Sequence, residues 1–230
     1  MIQDPAQELI DLVRRSGESA SEVDRRAAAL IRRRFDLALP VPLVDPPAAG
    51  EEIPIRPATA FDGPAIAAMK WRSWRVAYRG LVPDEFLDRL EINPPVAYWI
   101  GVGTLAPSRR HRVLVAGRQG TVLGMVDLRP TRDDDLDQET VSEIVMLYLE
   151  PTLRRRALGR RLMDAAVAEA QASGISDLRL WVVEGNRSAR AFYEAQGWEP
   201  DGSAKTFDLG DGLGLAEVRY RLAQGQQPTR

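Results

Sequence analysis

Apolar residues switch repeatedly between the two-residue period of a strand and the longer period of a helix from about residue 53 onward. The run Val141–Leu149 is mostly apolar and favours a buried strand, whereas Gly159–Ala172 carries its apolar residues on one helical face. Turn residues mark two hairpins, at Gly117–Gly120 and at Asp211-Gly212. The pattern predicts an α/β (α+β) fold in which helices cover the faces of a mixed sheet. The predicted strands are Ile53–Pro57, His111–Ala116, Thr121–Leu128, Val141–Leu149, Leu178–Val183, Ala204–Leu209 and Leu215–Leu222, and the predicted helices are Asp62–Tyr78, Pro83–Leu90, Gly159–Ala172 and Ser188–Gln196.

The first 51 residues are predicted to form an appendage outside this sheet. Apolar residues at helical spacing between Pro5 and Phe35 predict two short helices, and the prolines between Leu39 and Pro54 favour an extended tether. Such a segment is too short to bury a core alone, so we expect it to pack on the main domain or on a second subunit of a homodimer. The predicted units are therefore the helical extension and Pro-rich linker at 1–51, the main domain at 52–223 and a flexible tail at 224–230.

Composition excludes several classes of site and partner. The 31 basic and 33 acidic residues give a net charge of −2, which argues against nucleic acid as a partner, and a solvated amphipathic helix explains the arginines of the extension. The absence of cysteine excludes disulfides and cysteine acyl-enzymes, His111 is the one histidine, and no metal is expected. The N-terminus has no basic region followed by an apolar stretch, and no run of about 18 apolar residues occurs, so we expect a cytoplasmic protein without a membrane partner.

The junction between the strand Val141–Leu149 and the next helix is the clearest candidate binding site. It reads EIVMLYLEPTLRRRALG from Glu143 to Gly159, with arginines and small residues just before the helix begins. Backbone N–H groups at a helix start have no intrahelical partner and carry the positive end of the helix dipole. The junction therefore predicts a site for a phosphate-bearing ligand.

Two motifs at this junction and beyond it resemble those of the GNAT N-acetyltransferase superfamily. The segment LYLEPTLRRRALGRRLM from Leu147 to Met163 matches the family's strand, its Gln/Arg-x-x-Gly/Ala-x-Gly/Ala loop and the following helix. The segment WVVEGNRSARAFYEAQGW from Trp181 to Trp198 is similar to the second family motif. The resemblance spans roughly Ile53 to Leu222. Arg155 and Ala157 stand where many relatives have Gly, and each Cβ restricts how closely a ligand approaches the backbone.

The resemblance implies a fold with splayed central strands and a site for acetyl-CoA. The pyrophosphate would lie on backbone amides at the helix start, the pantetheine along the preceding strand, and Asn186 and Ala189 on the far side. A plain N-cap for the next helix is the alternative for Asn186, and both roles can hold together. The implied cofactor-binding residues are Leu147, Tyr148, Leu149, Arg154, Arg155, Arg156, Ala157, Leu158, Gly159, Arg160, Asn186, Ala189 and Tyr193.

The resemblance also implies catalytic residues. Glu143 is the expected general base, with a solvent-facing charge or a pair with an arginine as the alternative. Tyr193 is the expected acid for the departing thiolate, with an aromatic packed beside Phe192 as the alternative. The residues expected near the acceptor are Trp74, Tyr78 and Trp181. An acidic loop, Asp133–Asp137, could attract a cationic amine, although such loops are usually only solvated.

The function implied is an acetyl-CoA-dependent N-acetyltransferase. The acceptor would be a primary amine on a small molecule or on a protein, and the lack of cysteine favours direct transfer within a ternary complex. The alternative is a non-catalytic acyl-CoA sensor that uses its N-terminal helices as an interaction module.

Overall fold

The computed structural model describes residues 52–90, 111–118, 121–153, 157–210 and 212–222. The predicted extension at 1–51 and tail at 224–230 lie outside the described residues, as do Arg154, Arg155 and Arg156 of the predicted phosphate loop. None of the helices within the described ranges is long and apolar enough to cross a membrane. The helices are α1 (Gly63–Ala77), α2 (Asp84–Leu90), α3 (Leu158–Ala172) and α4 (Arg187–Glu194), and the strands are β1 (Ile55–Pro57), β2 (Arg112–Ala116), β3 (Gly124–Pro130), β4 (Val141–Leu149), β5 (Asp177–Val183), β6 (Trp198–Gly210) and β7 (Leu213–Leu222).

The strands form one mixed sheet, as predicted, in the order β1-β2-β3-β4-β5-β7-β6. The pair β4 and β5 is parallel, and the other neighbouring strands in this order are antiparallel. A parallel pair needs a crossover connection, which α3 supplies between β4 and β5. This places the N-terminus of α3 directly after the strand that carries the first motif.

The two central strands separate in the middle of the sheet. The pairing of β4 with β5 runs from Val141 opposite Asp177 to Ile144 opposite Leu180, although both strands continue. At the same point β4 carries a bulge against β3, because the residues opposite Leu128 and Asp127 are Ile144 and Met146. The predicted splaying of the central strands is therefore confirmed, and it begins at Val145.

The bulge determines which side chains of β4 face each helix layer. Ile144 belongs to the core under α3, and Leu147 and Leu149 pack against the same core. Tyr148 points to the opposite face, where its hydroxyl accepts a hydrogen bond of 2.8 Å from Trp74 Nε1 of α1. Helix α3 thus covers one face of the sheet, and α1 covers the other.

The strand β6 begins earlier than the sequence predicts. It starts at Trp198, directly after Gly197 with φ of 80°, whereas the prediction began at Ala204. Pro200 and Gly202 lie within the added part of the strand, where the register against β7 shifts between Pro200 and Ala204. Since β6 lies at the edge of the sheet, a proline there costs no ladder hydrogen bond to a further strand.

A buried ion pair fixes α1 to the end of β4. The Glu150 carboxylate is fully buried, and Arg72 donates to it from Nε at 3.1 Å and from Nη2 at 2.8 Å. A buried charge without its partner is strongly unfavourable, whereas a paired one is tolerated. This pair therefore sets the position of α1 relative to the sheet.

We predict that Arg72→Met destabilises the fold by about 3–5 kcal/mol, because it leaves the Glu150 carboxylate buried without its guanidinium. The control is Arg75→Met on the same helix, since Arg75 and Asp88 form an exposed pair at 3.4 Å. Exposed pairs contribute about 0–1 kcal/mol. Urea unfolding of both variants measures the difference, and equal losses of stability would contradict the prediction.

Candidate active site

A cavity of about 960 Å³ opens where β4 and β5 separate. Residues of α1, of the strands β4 to β7, of the loop before β4, of the first turn of α3 and of α4 line it. The separation leaves backbone N–H and C=O groups of β4 beyond Ile144 without a partner strand on the β5 side. Val145, Met146 and Leu147 line the cavity along this edge, together with the predicted cofactor residues Tyr148 and Leu149.

The N-terminus of α3 forms one end of the cavity. Its N-cap is Ala157, which makes no side-chain cap hydrogen bond and has φ of 57°. Within the described ranges Ala157 is the one non-glycine residue with positive φ, a conformation that costs an L residue roughly 1–2 kcal/mol. Strain of this kind is concentrated at functional sites. The predicted loop residues Ala157, Leu158, Gly159 and Arg160 line this end of the cavity.

Gly159 allows the first turn of α3 to approach its neighbours closely. A Cβ at this position would lie 3.2 Å from Leu149 Cδ1 and 3.2 Å from Phe192 Cζ, closer than ordinary van der Waals contact. The turn therefore sits directly beside both β4 and α4. The free N–H groups of this turn and the helix dipole make it suited to an anion.

The N-terminus of α4 borders the same cavity from the other side. The Asn186 side chain accepts a hydrogen bond of 3.1 Å from the Ala189 backbone N–H, which confirms the N-cap that was the alternative reading. Asn186 and Ala189 also line the cavity. The capping bond uses the side-chain oxygen of Asn186 and does not involve its amide nitrogen. A ligand-binding role for Asn186 is therefore compatible with the N-cap and stays a prediction.

Tyr193 of α4 reaches the cavity from the core. Its side chain is 9% exposed and packs against Phe192 with ring centroids 5.4 Å apart. Burial raises the pKa of Tyr193, and the charge of Tyr78 raises it further. Among the described residues its hydroxyl has no hydrogen-bond partner, so this protonated phenol lines the cavity with its proton available.

Glu143 of β4 lies in the cavity wall but is already paired. Arg132 donates to Glu143 Oε1 from Nη2 at 3.0 Å, and its Nε lies 3.4 Å from Oε2. The carboxylate is buried, whereas the guanidinium is largely exposed. The pair with an arginine, which was the alternative for Glu143, is therefore present. Its role as a base stays a prediction.

The three predicted acceptor residues all line the cavity. The rings of Trp74 and Tyr78 pack in a tilted arrangement with their centroids 4.5 Å apart. Burial raises the pKa of Tyr78 to about 12. Trp181 on β5 donates from Nε1 to Asp133 at 2.9 Å, and Lys205 Nζ sits 3.9 Å above its ring. The aromatic side chains form two walls of the chamber on the α1 side of the sheet.

The acidic loop is held by cations and is not simply solvated. Arg219 of β7 donates to Asp133 at 3.1 Å, to Asp135 at 2.8 Å and to Asp201 at 2.7 Å. Lys205 Nζ lies 3.7 Å from Asp133 as well. Asp133 and Asp135 therefore anchor the loop to β7, and their charge is largely compensated.

The sequence predictions missed four ionisable residues in the described part of the cavity wall, Lys70, Arg132, Lys205 and Glu217. Glu217 of β7 is half-buried, and burial raises the pKa of its carboxyl. Lys70 of α1 lies 5.0 Å and 5.7 Å from the ring centroids of Trp71 and Trp74. The sequence did contain a signal for Glu217 and Lys70, since each is a charged residue on a face that also carries apolar residues. Glu217 shares a strand face with Leu215, and Lys70 shares a helix face with Trp74, four positions later.

Burial lowers the pKa of Lys70 to about 8, which predicts that stability rises with pH above this value. An unfolded lysine keeps its proton up to about pH 10.4, so between these values the unfolded state binds more protons and the free energy of unfolding increases. Lys70→Met removes this linkage. Its stability advantage over wild type, about 3 kcal/mol below pH 8, should shrink as the pH rises. Urea unfolding at about pH 7 and about pH 10 tests this, and a difference that does not change with pH would refute it.

Comparisons with known proteins show which family this chain resembles. The model of the Acetyltransferase (GNAT) family matches residues 66–198. A Mycobacterium tuberculosis protein named "Probable N-acetyltransferase" is 28% identical over 178 residues, covering 76% of this chain and 97% of that protein. The IAA acetyltransferase of Azospirillum brasilense is 34% identical over 92 residues, covering 40% of this chain and 56% of that protein.

Solved structures share the fold. The PaiA N-acetyltransferase of Thermoplasma acidophilum, in complex with coenzyme A, superposes with a TM-score of 0.59 at 20% identity, covering 73% of this chain and 98% of that chain. YncA of Salmonella typhimurium, with acetyl-CoA, gives 0.53 at 18% identity, covering 78% of this chain and 96% of that chain. Since the family model covers more than half of the sequence and the sheet has the fold of these enzymes, the chain belongs to the acetyltransferase (GNAT) family.

Proposed function

We propose that this acetyltransferase transfers the acetyl group of acetyl-CoA directly to a primary amine. The observation that carries the proposal is one continuous cavity that joins the start of α3 to a chamber with carboxylates, aromatic rings and a buried tyrosine. One end suits an anionic donor, and the other suits an amine that must lose a proton. Structures of the same fold that hold coenzyme A or acetyl-CoA support the choice of donor.

The residues at the β4 and α3 junction fit acetyl-CoA. The first turn of α3 has N–H groups without intrahelical partners and no capping side chain, and Gly159 lets this turn pack closely against Leu149 and Phe192 beside the cavity. We expect the pyrophosphate there, beside Arg160 and the arginines 154–156. The unpaired edge of β4 from Val145 to Leu149 would hydrogen-bond the pantetheine as an added strand. Asn186 and Ala189 would border the cofactor on the side of α4.

Proton transfer is the chemical requirement at the other end of the cavity. The pKa of a primary amine, near 10.4, lies about 3.4 units above pH 7. The protonated amine is therefore favoured over the neutral, nucleophilic amine by roughly 4.6 kcal/mol at this pH. A carboxylate near the amine lowers this barrier. Glu143 is the base that the sequence predicts, and Glu217 is a second carboxylate of the same chamber.

Tyr193 would assist the leaving group. Its raised pKa keeps the phenol protonated over the physiological range, so it holds a proton for the thiolate when the C–S bond breaks. A backbone N–H of β4 near Leu147 would donate to the oxygen of the tetrahedral intermediate, an interaction of about 3–4 kcal/mol. Holding amine and thioester together contributes about 7–11 kcal/mol. The absence of cysteine supports direct transfer without an acetyl-enzyme.

The proposed activity predicts that CoA is released when acetyl-CoA and a suitable amine are both present. A panel of polyamines, aminoglycosides, amino acids and peptides with free N-termini should contain at least one acceptor that raises the release rate above hydrolysis. Thiol detection measures the release, and mass spectrometry identifies the acetylated amine. Tight binding of acetyl-CoA without release across the whole panel would instead support the sensor function.

We predict that Tyr193→Phe lowers kcat by about 100-fold to 10,000-fold, because a positioned acid contributes that much. The affinity for acetyl-CoA, measured by calorimetry, should change little, since the ring still packs against Phe192. Tyr220→Phe is a matched control. Tyr220 is fully buried and hydrogen-bonded to Glu194 and Arg190, but it does not line the cavity. Equal losses of kcat in the two variants would remove Tyr193 from the mechanism.

A further inference from the structure

The three carboxylates that line the cavity differ in how they are held. Asp133 accepts hydrogen bonds from Trp181 and Arg219, and Glu143 accepts from Arg132. Each of these two carboxylates is therefore occupied by donors of the protein itself. A carboxylate oxygen that already accepts a hydrogen bond from the protein offers fewer lone pairs to a ligand in the cavity.

Glu217 is the third carboxylate, and it is not held in this way. Within the described ranges its side chain forms no hydrogen bond and no ion pair within 4.0 Å. Lys205 lies directly opposite it on β6, but the Lys205 ammonium points to Asp133 and the Trp181 ring. Glu217 is thus half-buried in the cavity wall with both oxygens available to a ligand.

The position of Glu217 places it beside the reacting end of the cavity. Its strand partner on β5 is Val183, which lies beyond the point where β4 and β5 separate. Burial raises the pKa of Tyr78, the C-cap residue of α1, and the charge of Glu217 raises it further. Burial raises the pKa of Tyr193 as well, and the charge of Tyr78 raises it further. Glu217, Tyr78 and Tyr193 all line the cavity.

We propose that Glu217 is the catalytic base that accepts the proton of the acceptor amine, and that Glu143, held by Arg132, is a positioning residue that sets the charge around it. This assignment rests on the proposed N-acetyl transfer. It departs from the prediction for Glu143 because the sequence could not reveal which carboxylate is paired.

The surroundings of Glu217 favour this role. Burial raises the pKa of its carboxyl most, and the negative charges of Glu143 and Asp133 raise it further, against the opposing charges of Lys205 and Arg132. A carboxyl with a raised pKa is a stronger proton acceptor once ionised. The titratable and charged groups that interact electrostatically with it are Tyr78 at the C-cap of α1, Glu143 of β4, Lys205 of β6, and Arg132 and Asp133 of the loop before β4.

The acceptor enters the proposed reaction as an ammonium ion. Glu217 takes one proton from the nitrogen and passes it to solvent, and the neutral amine forms the N–C bond with the thioester carbonyl. When the C–S bond breaks, Tyr193 gives its proton to sulfur and is restored by the second proton of the nitrogen. The products are the amide, the CoA thiol and one proton in solution.

The test is the pH dependence of kcat at saturating acetyl-CoA and an acceptor identified by CoA release. In the wild-type enzyme kcat should fall at acidic pH as Glu217 becomes protonated. Glu217→Gln should lower kcat by about 100-fold to 10,000-fold and remove this acidic inflection. Glu217→Asp should retain the inflection with a reduced rate, since the carboxylate is kept but shortened. Glu184→Gln, an exposed glutamate outside the cavity wall, is the matched control and should keep both rate and profile.

The variant Glu143→Gln separates the two carboxylates. It removes a negative charge that raises the pKa of Glu217 and releases the Arg132 charge that lowers it. The acidic inflection should therefore remain and move to lower pH. If Glu143→Gln abolishes the inflection while Glu217→Gln only shifts it, the assignment is overturned and Glu143 is the base.

Two further outcomes distinguish failure of this assignment from failure of the proposed function. If the wild-type enzyme is active and Glu217→Gln keeps its rate and inflection, the assignment alone is refuted. If the wild-type enzyme binds acetyl-CoA but no amine causes CoA release, the proposed function is refuted and the assignment with it. The melting temperature and acetyl-CoA affinity of Glu217→Gln show that a lost rate does not arise from unfolding, and Glu217→Asp provides the same test should the Gln variant not fold.

Discussion

The separation of β4 from β5 after Ile144 and Leu180 is the constraint on which the rest of the site depends. Polar backbone groups inside a protein need partners, and a sheet that opens in its middle exposes such groups along one strand edge. The bulge at Val145 accompanies this opening and reverses the faces of β4 beyond it. The same local irregularity therefore creates the cavity and directs Tyr148 to α1 and Leu147 to the core under α3.

The two ends of the cavity are built from different physical elements. The end near α3 uses backbone geometry, since Gly159 allows a close approach of the first helical turn and Ala157 adopts the left-handed conformation before it. The end near α1 consists of side chains, namely aromatic rings, carboxylates and the cationic groups that pair with most of these carboxylates. Under the proposed function, substitutions in the chamber would change which amine is accepted while the end near α3 stays intact.

The sequence predicted the elements well where periodicity was strong and failed where tertiary contacts decide. Both ends of β4 were predicted correctly, because the run of nine residues is mostly apolar and favours a buried strand. The start of β6 was missed, since Pro200 and Gly202 suggest a turn unless the register shift against β7 is known. The predicted site residues within the described ranges line the cavity, and their roles stay predictions. The ion pair of Glu143 with Arg132 depends on positions that come together only in the folded sheet, as does the lack of a partner for the Glu217 carboxylate among the described residues.

The guanidinium of Arg219 binds three aspartates, two from the loop before β4 and one from β6. Trp181, a wall of the chamber, is held by the same loop through Asp133. The loop is therefore ordered when the sheet folds and does not need a ligand to order it. Association with an acceptor then carries little entropic penalty from this side of the chamber, so selectivity there is decided by a preorganised shape.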